Sequence, residues 1–320
     1  MNGFEMDIDI AMIVVRTVHF AATAITAGAL TFRAVVAGPA FRSADDAGKA
    51  IDAQVRLLAW SGLAVTVVSG AIWLALQTVG MSGQAFGEAV TSGAIVTVLD
   101  ETQFGLVSEI RLGLAILLAA GLAYDRSAPA RWLALGSAHI LVAAIAWTGH
   151  AASTPAELGY LHLTADALHL DAAAAWIGGL LPLALLLNAG RRSQVSARGT
   201  LQYDVAKRFS SLGIVSVATL IASGVINAWI LVGSFRGLTE TEYGWFLLFK
   251  LAAFAVMLAF AAANRFWLTP RLAATSSREA QRDALRGLTR NVLVEVALGV
   301  MVFAIVGVLG TLHPSAHLVN

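Results

Sequence analysis

Seven histidines and no cysteine set the chemistry open to this chain. Imidazole and carboxylate without thiolate suit Cu(II), Zn(II), Ni(II) or haem iron; disulfides, iron–sulfur clusters and cysteine nucleophiles are excluded. His162, Asp166 and His169 stand at i, i+4 and i+7. That spacing puts three potential ligands on one face of a helix. Asp171 follows on a neighbouring face, and His150, His313 and His317 close two other apolar stretches. His19 follows Arg16 by three residues in the first stretch, Glu109 and Arg111 lie in the third, and Asn227 and Lys250 in the sixth and seventh. His139 stands apart from this set and reads as a hydrogen-bonding residue packed between helices. Met1, Met6, Met12 and Met81 add thioether sulfurs, which favour Cu(I).

These residues are embedded in a chain that is 58% hydrophobic and 13% charged, with a mean hydropathy of +0.75. Soluble domains carry about 25% charged residues, so this chain lacks the polar surface to face water all round. The formal net charge of +1 gives no case for nucleic acid or a strongly acidic partner. The N-terminus has no basic segment, and its first charges are Glu5, Asp7 and Asp9, so the first apolar stretch is expected to be retained as a membrane helix.

A bilayer core of about 30 Å needs roughly 20 apolar residues per helix. Eight stretches qualify, at 10–37, 56–79, 104–124, 131–150, 162–189, 209–233, 244–268 and 291–313. In hydrocarbon each span must satisfy its own backbone hydrogen bonds, so an all-α polytopic membrane bundle of eight transmembrane helices is expected. Seventeen of the 21 Lys and Arg residues fall in or beside the connections after spans one, three, five and seven. Arg236 is on the opposite side, and Arg16, Arg111 and Lys250 are inside spans. The positive-inside rule then places both termini in the periplasm of a bacterial inner membrane. In the basic connection 269–290, Arg278, Arg282 and Arg286 at i, i+4 and i+8 allow a short amphipathic helix, and the plainer reading is a solvated basic face beside anionic membrane lipid. Glu295 reads as a local pair of Arg290.

Ionisable groups within a membrane are costly and mark functional sites. By helical rise, Arg16 and His19 lie roughly 9 and 14 Å below the outer end of span one, and Arg111 and Lys250 about 10 Å deep in spans three and seven. Six of the seven histidines are therefore in or above the outer half of the bundle. The inner half shows no comparable cluster and no ligand relay.

The two halves of the sequence also resemble each other. His19 and Gly28 align without a gap on His169 and Gly178; Ser69-Gly70 aligns on Ser223-Gly224. Phe104-Gly105 aligns on Tyr243-Gly244, Arg111 on Lys250, Asp125-Arg126 on Asn264-Arg265, and His150 on His313. Within a single domain covering 1–320, repeat one is expected at 10–150 and repeat two at 162–313. Four helices per repeat give both the same orientation, so a pseudo-twofold axis along the membrane normal is expected.

Several of these stretches carry a family resemblance. They are Gly149–Ala151 (GHA), His162–Leu183 (HLTADALHLDAAAAWIGGLLPL), Ser223–Trp229 (SGVINAW), Thr102–Arg111, Tyr243–Lys250, Asn264-Arg265, and the LGTLHP ending at Pro314. Along nearly its whole length the chain resembles the CopD/PcoD family of copper-resistance membrane proteins. The resemblance implies an inner-membrane copper protein that moves copper toward the cytoplasm. It implies too a partnership with a small periplasmic CopC-type copper carrier. These 320 residues include no CopC-like soluble domain and no methionine-rich periplasmic segment, so a separate carrier is expected. Each half also resembles, more weakly, the bacterial four-helix protoporphyrinogen oxidases, with His in the first helix and Lys or Arg in the third.

Three readings follow. The first is a copper permease, a transporter and not an enzyme, with His19, His150, His162, Asp166, His169 and His313 as candidate metal ligands. Arg16, Glu109, Arg111, Asp171, Asn227 and Lys250 are the other polar residues of its membrane region. The second is a haem-binding redox protein with His19 and His169, or His150 and His313, as axial ligands. The third is a structural or sensory protein whose periplasmic loops bind a partner. No nucleotide-binding G-x-x-x-x-G-K-[ST] motif and no D-K-T-G motif occurs, so any transport is expected to be passive or ion-coupled.

Overall fold

The computed structural model describes residues 3–38, 46–154, 156–192, 198–274 and 278–317. Eight helices are long and apolar enough to cross a membrane. They are α1 (Asp9–Val36), α2 (Gly48–Ser82), α3 (Gln103–Ala123), α4 (Ala128–Thr148), α5 (Glu157–Ala189), α6 (Leu201–Val232), α7 (Glu242–Ala274) and α8 (Glu279–Leu309). No strand occurs among the described residues. The bundle matches the number and order of the expected spans.

Local sequence sets several helix ends. The Thr102 and Thr241 hydroxyls accept from the backbone N–H of Gly105 and Gly244, each at 3.0 Å, capping α3 and α7 at aligned positions. Ser127 caps α4, with a proline in the first turn. Between α2 and α3, two short helices, Phe86–Thr91 and Ala94–Glu101, are joined at Gly93, whose φ of +84° favours glycine.

The basic connection before α8 does not take the short-helix form that its spacing allows. Arg278 to Leu309 is one continuous helix, so Arg278, Arg282 and Arg286 form its first turns and not a separate amphipathic segment. Extending an existing helix adds a hydrogen bond per residue without a new nucleus, whereas a separate helix needs its own.

Helices α1 and α5 occupy the centre. α1 packs on α2, α4, α5 and α8, while α5 packs on α6, α8, α1 and α4. They cross at backbone contact, with small residues in place of interdigitated side chains. A Cβ on Gly28 would stand 2.4 Å from the Ala174 carbonyl oxygen, and one on Gly178 would stand 2.0 Å from that of Ala24. Ala24 and Ala174 are separated by the same 150 positions as Gly28 and Gly178. The contact is thus reciprocal, as a twofold relation requires.

Near the end of α1, Arg33 ties that helix to α2 and to the turn after α3. Its guanidinium donates to Asp52 (Nε to Oδ1, 2.5 Å) and to Asp125 (Nη2 to Oδ2, 2.7 Å). Arg56 reaches Asp125 at 3.4 Å. Bidentate arginine–carboxylate pairing of this kind fixes direction as well as distance.

Candidate functional site

Asp166, His169 and their neighbours line a cavity of about 400 Å³ in the second half of the chain. α5 contributes His162, Asp166 and His169; α6 contributes Asn227; α7 contributes Tyr243, Lys250 and Met257. His150, on the 3-10 turn His150–Ser153 beyond α4, stands at its rim, and Arg16 enters from α1. The rest of the wall is mostly aliphatic.

His169 is held for ligation. Its Nδ1 lies 3.1 Å from Ser223 Oγ, and that hydroxyl donates its proton to the Thr219 carbonyl at 2.6 Å. Having spent its proton, Ser223 must accept from the ring. The neutral imidazole therefore carries hydrogen on Nδ1 and keeps its lone pair on Nε2. Metal-binding histidines are commonly fixed in this way, by a hydrogen bond at the other nitrogen. Asp166 Oδ1 accepts from Asn227 Nδ2 at 3.2 Å, and Asn227 Oδ1 is buried without a partner. His162, 1% exposed, is bonded through Nδ1 to Thr154 Oγ1 at 2.7 Å. His150 Nε2 donates to the Leu309 carbonyl at 3.3 Å.

These groups form a ladder and not a chelate. Among the described residues no three His, Asp or Glu side chains stand close enough to hold one metal ion together. The reason is helical rise: seven residues from His162 to His169 span about 10 Å along the axis.

His19 is the aligned counterpart of His169 and shows the same first step. Its Nδ1 meets Ser69 Oγ at 2.9 Å, and Ser69 donates to the Val65 carbonyl at 2.6 Å. Here the second nitrogen is also taken, because Nε2 accepts from the Arg111 guanidinium. Trp73 stacks beside this pair, 5.4 Å from the His19 ring and 5.8 Å from Arg111. His19 and Arg111 line a separate cavity of about 300 Å³. The two halves thus differ at aligned positions: Arg16, Trp73, Phe104 and Arg111 of the first align in sequence on Asp166, Asn227, Tyr243 and Lys250 of the second.

His313, Glu109 and Asp171 fall outside this cavity. His313 is exposed beyond α8, and Glu109 is exposed on α3 while Arg111 binds His19. Asp171 pairs with His139 Nδ1 at 2.9 Å, and His139 Nε2 meets Thr31 Oγ1 at 2.8 Å. His139 therefore joins α1, α4 and α5. Arg16 donates to the Gly310 carbonyl at 2.8 Å and lies over Trp73 at 5.3 Å.

Met257 escapes the sequence reading, and Glu295 has a partner other than the expected one. Met257, fully buried, lies at the inner end of the cavity. Its seven-residue spacing from Lys250 was the available signal. Glu295 is 2% exposed and accepts from Asn264 Nδ2 at 2.6 Å; it is not paired with Arg290, which is exposed. Five residues on a helix is a turn of about 140°, which separates the two side chains.

Neither axial pair of the haem reading is brought together on one cavity. Both ring nitrogens of His19 are engaged, and His19 and His169 face different cavities. His150 and His313 are likewise not brought together on the cavity.

The model of the family described as "Copper resistance protein D" matches residues 203–309, and that of "Copper resistance protein D-like, N-terminal domain" matches 6–160. The chain is 32% identical over 257 residues to copper resistance protein D of Pseudomonas syringae pv. tomato, covering 79% of this chain and 81% of that protein. It is 30% identical over 252 residues to inner membrane protein YebZ of Escherichia coli K12, covering 78% and 81%. Copper transport protein CutJ of Bacillus subtilis 168 is 32% identical over 235 residues, which cover 72% of this chain and 40% of that protein. No solved structure matches the chain. With two family models matched and two relatives of at least 30% identity each covered over four-fifths of their length, the chain belongs to the copper resistance protein D family.

Proposed function

We propose that this protein carries copper across the bacterial inner membrane, inward from the periplasm. The observation that carries the reading is the ladder of His150, His162, Asp166 and His169 along one cavity, with the His169 Nε2 lone pair left available. Relatives named for copper resistance and copper transport support the identity of the cargo. Copper is received at His150 and His162 and passes to Asp166 and His169, with the Met257 thioether at the inner end suited to Cu(I). Lys250 and Arg16 outnumber Asp166 in charge, so coordination and not simple attraction holds the ion. Transfer needs sites strong enough to fill and weak enough to empty, and stations of one or two ligands beside fixed cations meet that condition. A small periplasmic CopC-type carrier supplies the ion at the rim.

In the parallel duplication, 10–150 on 162–313, three of the four ladder residues belong to the second repeat, and His150 ends the first. The second half keeps the polar set, while Arg111 and Trp73 close the first. The reciprocal Gly28–Gly178 crossing supports a twofold axis along the membrane normal.

Two measurements test this reading. Purified protein exposed to copper and then desalted is expected to retain metal by mass spectrometry and to show no Soret band; an intense Soret band with no copper retained overturns the proposal. The seventeen-to-one distribution of basic residues between the two sets of connections supports a topology with both termini outside. A C-terminal alkaline phosphatase fusion should then be active and a C-terminal GFP fusion dark; the reverse pattern inverts the cavity and ends the import reading.

A further inference from the structure

The two helix faces that build the cavity continue inward past its floor. Val302 and Val306 on α8 line the cavity with Gly310 just past the helix end, and Gly299 and Glu295 extend the same stripe away from Gly310 at intervals of three and four residues. On α7, Lys250 and Met257 line it, and Asn264 follows seven residues on. The floor is Ile177 and Met257 packed on Gly299: a Cβ there would stand 2.4 Å from Ile177 Cγ2 and 4.0 Å from Met257 Cε.

Beneath that floor the stripes meet in a polar group. Asn264 Nδ2 donates to Glu295 Oε1, and Asn264 Oδ1 accepts from Asn291 Nδ2 at 3.0 Å. Among the described residues Glu295 forms no ion pair. The basic side chains on the packed helices near this level are Arg265, which donates to Ser210 at 2.7 Å, and the exposed Arg290. A carboxylate buried with amide partners alone is poorly compensated, so a positive charge must accompany it. Both Ile177 and Asn264 sit in π-helical turns, Ala174–Gly178 and Asn264–Leu268. Such turns are places where a helix can shift register, and they recur at functional sites.

We infer that Glu295, with Asn264 and Asn291, is an inner ion station behind the Ile177–Met257 floor, and that it holds either one proton or the passing cation. When the floor opens and the cation reaches the carboxylate, the O–H bond breaks and the proton leaves through the cavity to the outer water. When the cation departs inward, a proton from the inner water restores the O–H bond. No electron moves, and the exchange is one of cargo inward against protons outward. Its copper cargo rests on the transport reading; the proton at Glu295 does not.

The test uses the full-length protein and Glu295→Gln, whose amide oxygen can still accept from Asn264. Infrared spectra of the protein in nanodiscs should show the C=O stretch of a buried carboxylic acid that Glu295→Gln lacks. In proteoliposomes with an enclosed pH dye, copper uptake by the native protein should raise the internal pH. Glu295→Gln should abolish that counterflow while retaining copper in the outer cavity. An acid band that is identical in both proteins, or uptake with no proton movement, overturns the inference. The acid band without any copper uptake supports the station and defeats the transport reading instead.

Discussion

Replacing His169 with alanine is expected to weaken copper binding at least about 100-fold while leaving the protein in the membrane, since altering even the groups that merely orient a ligand costs 10–100-fold. The imidazole is fixed by Ser223, and the Ser223 hydroxyl is itself fixed by the Thr219 carbonyl, so Nε2 is presented to the cavity in one orientation. Ser223→Ala removes the orienting bond but not the ligand and should fall between the native protein and His169→Ala. His139→Ala is the contrasting case, because that ring is engaged by Thr31 and Asp171 away from the cavity. It should leave copper binding intact and lower stability by about 1 kcal/mol, the scale of an interhelical hydrogen bond in a membrane. Isothermal titration of the three purified variants with copper decides the matter. Unchanged affinity in His169→Ala together with lost affinity in His139→Ala would move the site to another helix.

Gly178→Ala should cause the largest loss of stability of any single methyl group added to this chain. Its Cβ would stand 2.0 Å from the Ala24 carbonyl oxygen and 2.7 Å from the Ala24 carbonyl carbon, both backbone atoms of the other central helix. Neither can turn aside, so α1 and α5 must separate, at a cost of about 1–3 kcal/mol or more. Gly28→Ala meets the Gly178 carbonyl carbon at 2.3 Å and should behave alike. The helices are already forced apart by either change, so the double variant should cost less than the sum of the two. Gly136→Ala on α4 has open space at its Cβ and serves as the control, neutral or slightly stabilising through helix propensity. Thermal unfolding in detergent, followed by tryptophan fluorescence, reads all four. A Gly178→Ala protein as stable as the Gly136→Ala control would show that the central helices do not touch there.

Much of the architecture can be read directly from residue type and order. Eight apolar stretches in a lipid phase have no alternative to helix, because each must close its own backbone hydrogen bonds. Depth could be read too, since rise per residue is fixed; that Asp166, His169 and Lys250 share one end of the bundle follows from counting along their helices. The spacing of His162, Asp166 and His169 correctly put three side chains on one helix face, and that face lines the cavity.

Counting along single helices could not tell which face meets which neighbour. His19 and His169 are equivalent in sequence, yet one is occupied by Arg111 and the other faces an open cavity, a difference made by partners 92 residues away in the first case and by a cavity walled by α6, α7 and α8 in the second. Glu109 and Arg111 are two positions apart, and neighbours at i and i+2 point to different sides of a helix, so Arg111 meets His19 while Glu109 is exposed. Glu295 was assigned to Arg290 for its nearness in sequence, whereas its partner Asn264 comes from α7, across a contact between helices. Composition and periodicity thus determined the spans, their depths and the face each presents, because those depend on backbone geometry and the hydrocarbon solvent alone. Only the packing of helix against helix decided which histidine keeps a lone pair and which carboxyl lies beneath the cavity floor, because both depend on partners contributed by other helices.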